Sequence, residues 1–315
     1  MASLDRARGL VRTGFAYTLC VLIGCTGSEG RDDGGPADAT PDASDAQVPG
    51  CDVTKPFGTP VPVAGVNTGD NDKFGWQTAD QLTIYFSRSP SLVADLYVAT
   101  RAQPADPFTE VTPLNTVNTA FSEARPIVSA DGLTLYMEYV DGSGVDIHFS
   151  TRTDTSGTFS AQMQLAVINT PGTMHAAEFN PWISNDGLTI YFTSDRDGYN
   201  DIFTSTRSSI TSDFTTPVAV AELNSAGGDY MGALSADGLE IFFGSSRDTN
   251  LANDDIFHAR RSSPSDAFTA PTKLTELSDA SKDEYPTWLS SDRCDLMFTS
   301  NRSGNYDVWI VSRPQ

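Results

Sequence analysis

The pattern of hydrophobic and polar positions repeats itself along the chain from about residue 55 onwards. Four segments align on an Asp-Gly-like turn, ARPIVSADGLTLYM, FNPWISNDGLTIYF, YMGALSADGLEIFF and YPTWLSSDRCDLMF, and a weaker fifth copy reads FGWQTADQLTIYF. The turn aspartates, spaced 51, 55, 51 and 55 residues apart, are Asp80, Asp131, Asp186, Asp237 and Asp292. Each turn is followed by an apolar run rich in β-branched and aromatic residues, which is typical of strands. The pattern therefore predicts five copies of an all-β unit.

Each copy contains further strands after this first pair. The next strand opens with an aspartate, as in DIFTSTR from Asp201, and a looser strand closes the unit, as in FTTPVAVAELN. A repeat of 51 to 55 residues fits one four-stranded antiparallel blade. The last copy stops after its third strand at Arg313, whereas a strand-like segment, residues 57–67, precedes the first copy. Because termini that share a blade remove the free sheet edges, we expect this segment to complete blade five of a five-bladed β-propeller.

The repeat resembles that of TolB-type propellers, which are relatives of WD repeats. Their pattern is P-x-x-S-x-D-G, an apolar strand, S-x-R and a short D-I-[FY] strand, and the best copies here are FNPWISNDGLTIYFTSDRDGYNDIF and YPTWLSSDRCDLMFTSNRSGNYDVW. The resemblance covers about residues 55–313. It implies a propeller fold and says little about function. Copies one and five depart from it with Gln81 and Arg293 at the turn glycine, and copy two lacks the S-x-R triplet.

The N-terminus has the anatomy of an export signal. Residues 1–24 combine three arginines with an apolar run too short to span a bilayer, and the junction Leu-Ile-Gly-Cys resembles the bacterial lipobox. This resemblance implies that Cys25 is diacylated; a signal peptide cut elsewhere is the alternative. Residues 26–50 are Gly, Pro, Asp, Ala and Ser with almost no large apolar side chain, which predicts a flexible acidic tether before the propeller at residues 51–315. Thr26 replaces the aspartate of inner-membrane retention, so we expect an anchor in the outer membrane of the cell envelope.

Two cysteines remain once the signal is removed and Cys25 is acylated. These are Cys51 and Cys294, in an oxidising compartment where disulfides persist. Cys294 occupies a position held by leucine in the other copies and lies in the blade that the N-terminal segment must join. We predict a Cys51–Cys294 disulfide that closes the ring; two unpaired thiols are the alternative.

An acid lies eight residues before every turn aspartate. The five are Asp72, Glu123, Glu178, Asp229 and Glu284. A shared register on channel-lining strands would place them in a ring at one mouth, where like charges raise one another's pKa or recruit a cation. We therefore predict a metal site, with Ca²⁺ as its cofactor, or a receptor for a cationic or polyhydroxylated ligand. The alternative is that each acid caps loop amides or pairs with an arginine of its own repeat.

Two further repeated sets favour structural roles. Arg196, Arg247 and Arg302 lie ten residues after their turn aspartates and shortly before Asp201, Asp255 and Asp307, a spacing that lets each guanidinium bridge two strands of one blade. We assign the same scaffolding role to the turn aspartates Asp131, Asp186, Asp237 and Asp292. A third set lies four residues before the turn aspartate and consists of Trp76, Trp182 and Trp288. These tryptophans have two interpretations: a core between blades, or an aromatic platform for a sugar at the channel.

Most catalytic signatures are absent from the sequence. The three histidines, His148, His175 and His258, form no H-E-x-x-H motif, and no G-x-S-x-G elbow occurs. Glycoside hydrolysis is the enzyme alternative, because five-bladed propellers house glycosidases with axial carboxylates, and Glu178 and Glu284 are its candidates. The equivalence of the acids in all repeats argues against it, since an acid and base pair needs two different environments.

The formal net charge of −21 excludes a nucleic-acid partner, which would need clustered lysine and arginine. We therefore expect a monomeric, membrane-anchored, non-catalytic binding or scaffolding module. Its partner would be an envelope protein or a polysaccharide, recognised by rim loops on a rigid scaffold. The longest of these loops are residues 169–177 and 249–254.

Overall fold

Five four-stranded antiparallel sheets make up the computed structural model, which describes residues 50–170, 176–248 and 252–315. The predicted signal, Cys25 and the tether up to residue 49 lie outside the described residues, as do His175 and parts of the two long rim loops. Consecutive inner strands contact each other, and the inner strand of blade five contacts that of blade one. The prediction of an all-β, five-bladed β-propeller is confirmed. Over the described ranges, no helix has the length and apolar character needed to cross a membrane.

The strands follow the order of the repeats. The chain begins with β1 (Val61–Pro62). Blade one contains β2 (Asn71–Gln77), β3 (Thr83–Ser89), β4 (Asp95–Thr100) and β5 (Thr109–Pro113). Blade two contains β6 (Ser122–Val128), β7 (Thr134–Val140), β8 (Val145–Thr151) and β9 (Met163–Gln164). Blade three contains β10 (Glu178–Ile183), β11 (Thr189–Ser194), β12 (Asp201–Thr206) and β13 (Val218–Ala219). Blade four contains β14 (Asp229–Leu234), β15 (Glu240–Ser245), β16 (Asp255–Arg260) and β17 (Thr272–Lys273), and blade five contains β18 (Glu284–Leu289), β19 (Asp295–Ser300) and β20 (Asp307–Ser312).

The N-terminal segment completes blade five, as the sequence predicts. Strand β1 pairs antiparallel with β20, with Val61 opposite Ile310, so the sheet order is β1-β20-β19-β18. Phe57 is 6% exposed and packs in the core between blades four and five. Cys51 and Cys294 are joined by a disulfide, with their Cα atoms 5.6 Å apart. The first and last segments of the propeller are therefore held together by backbone pairing, packing and a covalent bond.

The core lies between the blades and is built from equivalent positions of the second strands. Six residues after each turn aspartate a large apolar side chain is fully buried, and these are Phe86, Met137, Phe192, Phe243 and Phe298. Because both faces of each second strand are covered by neighbouring blades, its residues are apolar on both faces. This explains why the sequence shows continuous apolar runs there and not a strict alternation.

The turn aspartates organise the hairpin between the first two strands of each blade. Asp186 accepts hydrogen bonds from the Ser184 hydroxyl at 2.6 Å and the Leu188 amide at 2.9 Å, and the other four copies have the same arrangement. The next position needs a positive φ, which glycine adopts without strain. Gln81 and Arg293 adopt the same conformation, with φ of 59° and 63°. Their departure from the repeat therefore leaves the turn unchanged in shape.

Each blade has one arginine directly after its third strand that holds the blade together through side-chain contacts. Arg207 shows the pattern: its Nε donates to the turn carbonyl of Gly187, and its guanidinium lies 4.6 Å from the centroid of the Phe214 ring. The equivalent stacked pairs are Arg101 on Phe108, Arg152 on Phe159, Arg261 on Phe268 and Arg313 on Phe57. The last pair uses a phenylalanine from the N-terminal segment, so this segment replaces the missing fourth strand in side-chain contacts as well as in pairing.

Candidate functional site

The five inner-strand acids are all fully buried, each inside its own blade. Glu178 shows the arrangement: it accepts hydrogen bonds from the Thr170 amide and hydroxyl and from the Ser194 hydroxyl. Thr68, Thr119, Ser225 and the Asp279 amide cap the other four acids in the same way. In the described part of the chain, no group of three or more His, Cys, Asp or Glu side chains is placed to hold a metal ion. The structure thus separates the acids predicted to form a ring, and no Ca²⁺ site follows from their positions.

Four of the acids pair with an arginine of their own blade. The guanidinium-to-carboxylate distances are 2.6 Å for Arg88 and Asp72, 3.1 Å for Arg196 and Glu178, 2.5 Å for Arg247 and Asp229, and 3.1 Å for Arg302 and Glu284. Each of these arginines also donates to a backbone carbonyl in the loop that enters the blade. The scaffolding role fits the prediction, but the partners differ from the predicted ones, because the arginines reach the inner-strand acids and not Asp201, Asp255 or Asp307.

Blade two has no such arginine. Glu123 accepts bonds from the Thr119 amide and hydroxyl, and burial raises the pKa of its carboxyl. Burial also raises the pKa of Glu284 to about 7, although Arg302 opposes the shift. Removing a carboxylate from water disfavours its charged form unless its partners compensate. These acids bind groups of their own repeat and, at 0% exposure, are closed to any ligand.

Three of the side chains that enter the channel come from strained backbone positions. Phe74, Arg125 and Asn180 each lie six residues before a turn aspartate and have φ of 55°, 54° and 54°. They fall within the β-bulges of β2, β6 and β10. A bulky residue in this region costs about 1–3 kcal/mol, and such strain clusters at functional sites. Together they narrow the channel to a cavity of about 30 Å³.

The guanidinium of Arg125 fills this constriction. Its Cζ lies 3.7 Å from the ring centroid of Phe74, 5.5 Å from that of Phe179 and 6.0 Å from that of Tyr285. Its Nε is 2.6 Å from Glu138 Oε2, and its Nη1 donates to Asn180 Oδ1. Aromatic faces and a carboxylate stabilise a cation that has little water around it. The sequence reasoning missed Arg125 because it belongs to no repeated set.

A pocket of about 430 Å³ opens beside this constriction, among the loops of blades three to five; we call it the loop-face pocket. Tyr199, which is 59% exposed, and Tyr230 supply its aromatic surface. The Tyr230 ring lies 5.8 Å from that of Tyr285, so the pocket continues into the aromatic side chains around Arg125. The wall also contains the amide of Asn200 and three aspartates, Asp195, Asp254 and Asp283.

Asp254 and Asp283 form a hydrogen-bonded pair with two tyrosines. The Asp254 amide donates to Asp283 Oδ1 at 3.3 Å, the Tyr285 hydroxyl donates to Asp254 Oδ2 at 2.6 Å, and the Tyr306 hydroxyl donates to Asp283. Burial raises the pKa of Asp254 to about 6, and the nearby charge of Asp283 adds to the rise, whereas the Tyr285 bond opposes it. Asp254 can thus offer either an acceptor or a proton near neutral pH.

Comparisons with known proteins agree on the fold. No protein-family model matches the chain, and no curated protein matches it in sequence. The family 117 glycoside hydrolase Zg3597 from Zobellia galactanivorans is similar with a TM-score of 0.56 and 10% identity, over 82% of this chain and 90% of that one. An α-L-arabinofuranosidase from Podospora anserina, solved in complex with cellotriose, is similar with a TM-score of 0.53 and 12% identity, over 82% of this chain and 97% of that one. TolB from Acinetobacter baumannii is similar with a TM-score of 0.46 and 16% identity, over 78% of this chain and 55% of that one.

Proposed function

We propose that the chain is a non-catalytic binding propeller of the cell envelope that recognises a polysaccharide through the loop-face pocket. The observation that carries the proposal is the composition of this pocket: two tyrosine rings stand beside an amide and carboxylates around a volume of about 430 Å³. Ligand sites combine aromatic surface with a few polar groups that fix orientation. Tyrosine suits this role because it offers an apolar ring face and a hydroxyl at once.

The chemistry of the pocket favours a polyhydroxylated ligand. Sugar rings present C–H faces to aromatic side chains and hydroxyls to hydrogen-bonding groups. Tyr199 is free to stack on such a face, since it is 59% exposed, while Asn200 and Asp283 can bind hydroxyls. No lysine or arginine lines the pocket among the described residues, so an acidic polymer is disfavoured.

The position of the inner-strand acids supports binding over catalysis. Glu178 and Glu284, the candidates of the glycosidase alternative, are 0% exposed and hold Arg196 and Arg302. A substrate cannot reach a carboxylate that is closed off by its own blade. The likeness to glycoside hydrolases concerns the fold, which by itself assigns no function.

Calorimetric titration of the purified protein with xylo-, arabino- and cello-oligosaccharides tests the proposal. We expect saturable binding of at least one series, and we expect Tyr199→Ala and Asp283→Asn each to weaken it about tenfold, which corresponds to about 1.4 kcal/mol. Ile210→Ala is the matched control, because Ile210 is 66% exposed in a loop at the opposite face and should leave the affinity unchanged. Absence of binding across the three series, or equal loss in the control, would reject the pocket.

The second candidate function is glycoside hydrolysis at the same pocket. The raised pKa of Asp254, about 6, beside Asp283 is the observation that favours it, because such a pair can act as general acid and base. The same oligosaccharides are incubated with the protein, and reducing ends are measured. We expect none to form; release that Asp254→Asn abolishes would replace binding by hydrolysis as the function.

The membrane anchor remains part of the proposal. Cys25 follows a lipobox-like junction, and two acyl chains give stable attachment. We expect radiolabelled palmitate to be incorporated by the wild-type chain in a bacterial host and the protein to fractionate with outer membranes. Cys25→Ala should abolish the label and release the protein from membranes. Labelling that persists in this variant would contradict acylation at Cys25.

A further inference from the structure

We infer that the opposite end of the channel holds a second binding site, for a single neutral sugar ring. A cavity of about 180 Å³ lies there, lined by residues of all five inner strands and by the adjoining turns; we call it the tryptophan cavity. Its walls include the indoles of Trp76, Trp182 and Trp288. The constriction at Phe74, Arg125 and Asn180 separates it from the loop-face pocket.

The arrangement of the tryptophans goes beyond what the blade core requires. Equivalent positions in blades two and four are Ile127 and Ala233, so an aliphatic residue satisfies the packing between blades. Blades one, three and five instead place the largest aromatic side chain at this position. Part of each indole packs in the cores between blades, where the Trp76 ring lies 6.3 Å from that of Tyr85 and the Trp182 ring 6.0 Å from that of Tyr191. The same three side chains also line the cavity.

The indole N–H groups supply an independent observation. Trp182 and Trp288 are only 9% and 6% exposed, yet neither they nor Trp76 donates a hydrogen bond to any described residue. Their N–H groups are also not sealed off, unlike that of Trp309, which is buried without a partner. Buried tryptophans ordinarily find an acceptor. Three tryptophans whose indole N–H groups have no acceptor among the described residues line one cavity, which points to a ligand that carries acceptor oxygens.

Charge at this end of the channel selects a neutral ligand. Four of the five turn aspartates are matched by an arginine whose Nε donates to a carbonyl of the same turn, and these arginines are Arg101, Arg152, Arg207 and Arg261. In the fifth turn, Arg293 follows Asp292 directly. Positive and negative charges are thus balanced around the rim. A free monosaccharide or the terminal residue of a glycan has the size, the apolar ring faces and the oxygens that this cavity would accept.

Fluorine NMR of the protein labelled with 5-fluorotryptophan tests the inference without any cavity substitution. The chain has four tryptophans, so four resonances are expected, and Trp309→Phe identifies the one outside the cavity. Titration with glucose, xylose, arabinose and galactose, and with oligosaccharides that end in them, should shift the other three and leave Trp309 in place. Shifts with the oligosaccharides alone would assign the site to glycan ends and not to free sugars. No shift with any of these sugars, or an equal shift at Trp309, would overturn the inference.

Substitution then separates this site from the loop-face pocket. Trp76→Ile copies the residue that blade two carries at the same position, and it should weaken sugar binding at the tryptophan cavity at least tenfold. Tyr199→Ala should leave this binding unchanged. Conversely, Trp76→Ile should leave binding at the loop-face pocket unchanged. If Tyr199→Ala removed the tryptophan shifts, the two pockets would be one site and the inference would be wrong.

Discussion

Replacing Cys51 and Cys294 by serine is expected to lower the free energy of unfolding by about 5 kcal/mol. The two residues are 243 positions apart, so the disulfide closes a loop that contains β1 to β18 and leaves only β19 and β20 outside it. A cross-link over such a loop removes more conformational freedom from the unfolded chain than a short one does, in the chain-entropy view. Urea unfolding under non-reducing conditions, followed by far-UV circular dichroism, measures the difference.

Dithiothreitol provides the control for this experiment. It should lower the unfolding midpoint of the wild-type protein to that of the Cys51→Ser and Cys294→Ser double variant, and it should leave the variant unchanged. Because β1 and Phe57 still pack in the variant, the folded state should keep its five blades. Equal stability of the two proteins in the absence of reductant would mean that the covalent link contributes nothing to closure.

Asp229→Asn is expected to destabilise the protein by about 3 kcal/mol, because it leaves the guanidinium of Arg247, whose side chain is only 18% exposed, without its counter-charge. Arg247 lies 2.5 Å from the carboxylate of Asp229, which is 0% exposed. Removing one member of a buried ion pair costs far more than the net contribution of the pair, since the remaining charge stays desolvated. Chemical denaturation at neutral pH gives the loss directly.

Blade two supplies a matched control within the same chain. Glu123 occupies the equivalent position and is also 0% exposed, but it has no arginine partner. Glu123→Gln makes the same change from acid to amide and keeps an acceptor for Thr119, so we expect a loss of about 1 kcal/mol or less. Similar losses in blades two and four would show that the arginine is not the cause of the difference.

The fold could be predicted from the sequence because the same strand pattern occurs in five copies. Each copy gives the same turn aspartate, the same apolar second strand and the same third strand, so single departures such as Gln81 and Arg293 do not change the count. The truncated last copy and the strand-like segment before the first also specify how the ring closes. Position within a repeat is a reliable guide to register, since every blade solves the same packing problem.

The site could not be predicted in the same way, because the repeat pattern does not determine the direction of a side chain on its strand. Glu178 and Trp182 are four residues apart and would share one face of a regular strand. A β-bulge between Phe179 and Trp182 shifts the alternation by one residue, and comparable shifts occur in all five inner strands. The acids therefore turn into their blades, while the tryptophans line the channel.

The candidate site residues that the sequence analysis did not single out are the ones without equivalents in the other copies. Arg125 lies where other copies have Phe74, Asn180, Met231 and Pro286. Asp254 and Tyr306 lie in loops that differ in length between the blades. A comparison of the copies position by position for chemical outliers would have singled out Arg125, since a scaffold repeats its structural residues and varies those used for recognition.

Pairing of β1 with β20 also governs the order in which the molecule can be completed. Ile310, the partner of Val61, is synthesised only after all the strands of blades one to four. Contacts between such distant positions form slowly, because loop-closure entropy opposes them until much of the remainder is in place. Blades one to four can assemble as the polypeptide emerges, whereas β1 has no partner strand until β20 has been synthesised. We therefore expect the nascent protein to pass through an open state, in which protection against aggregation matters most.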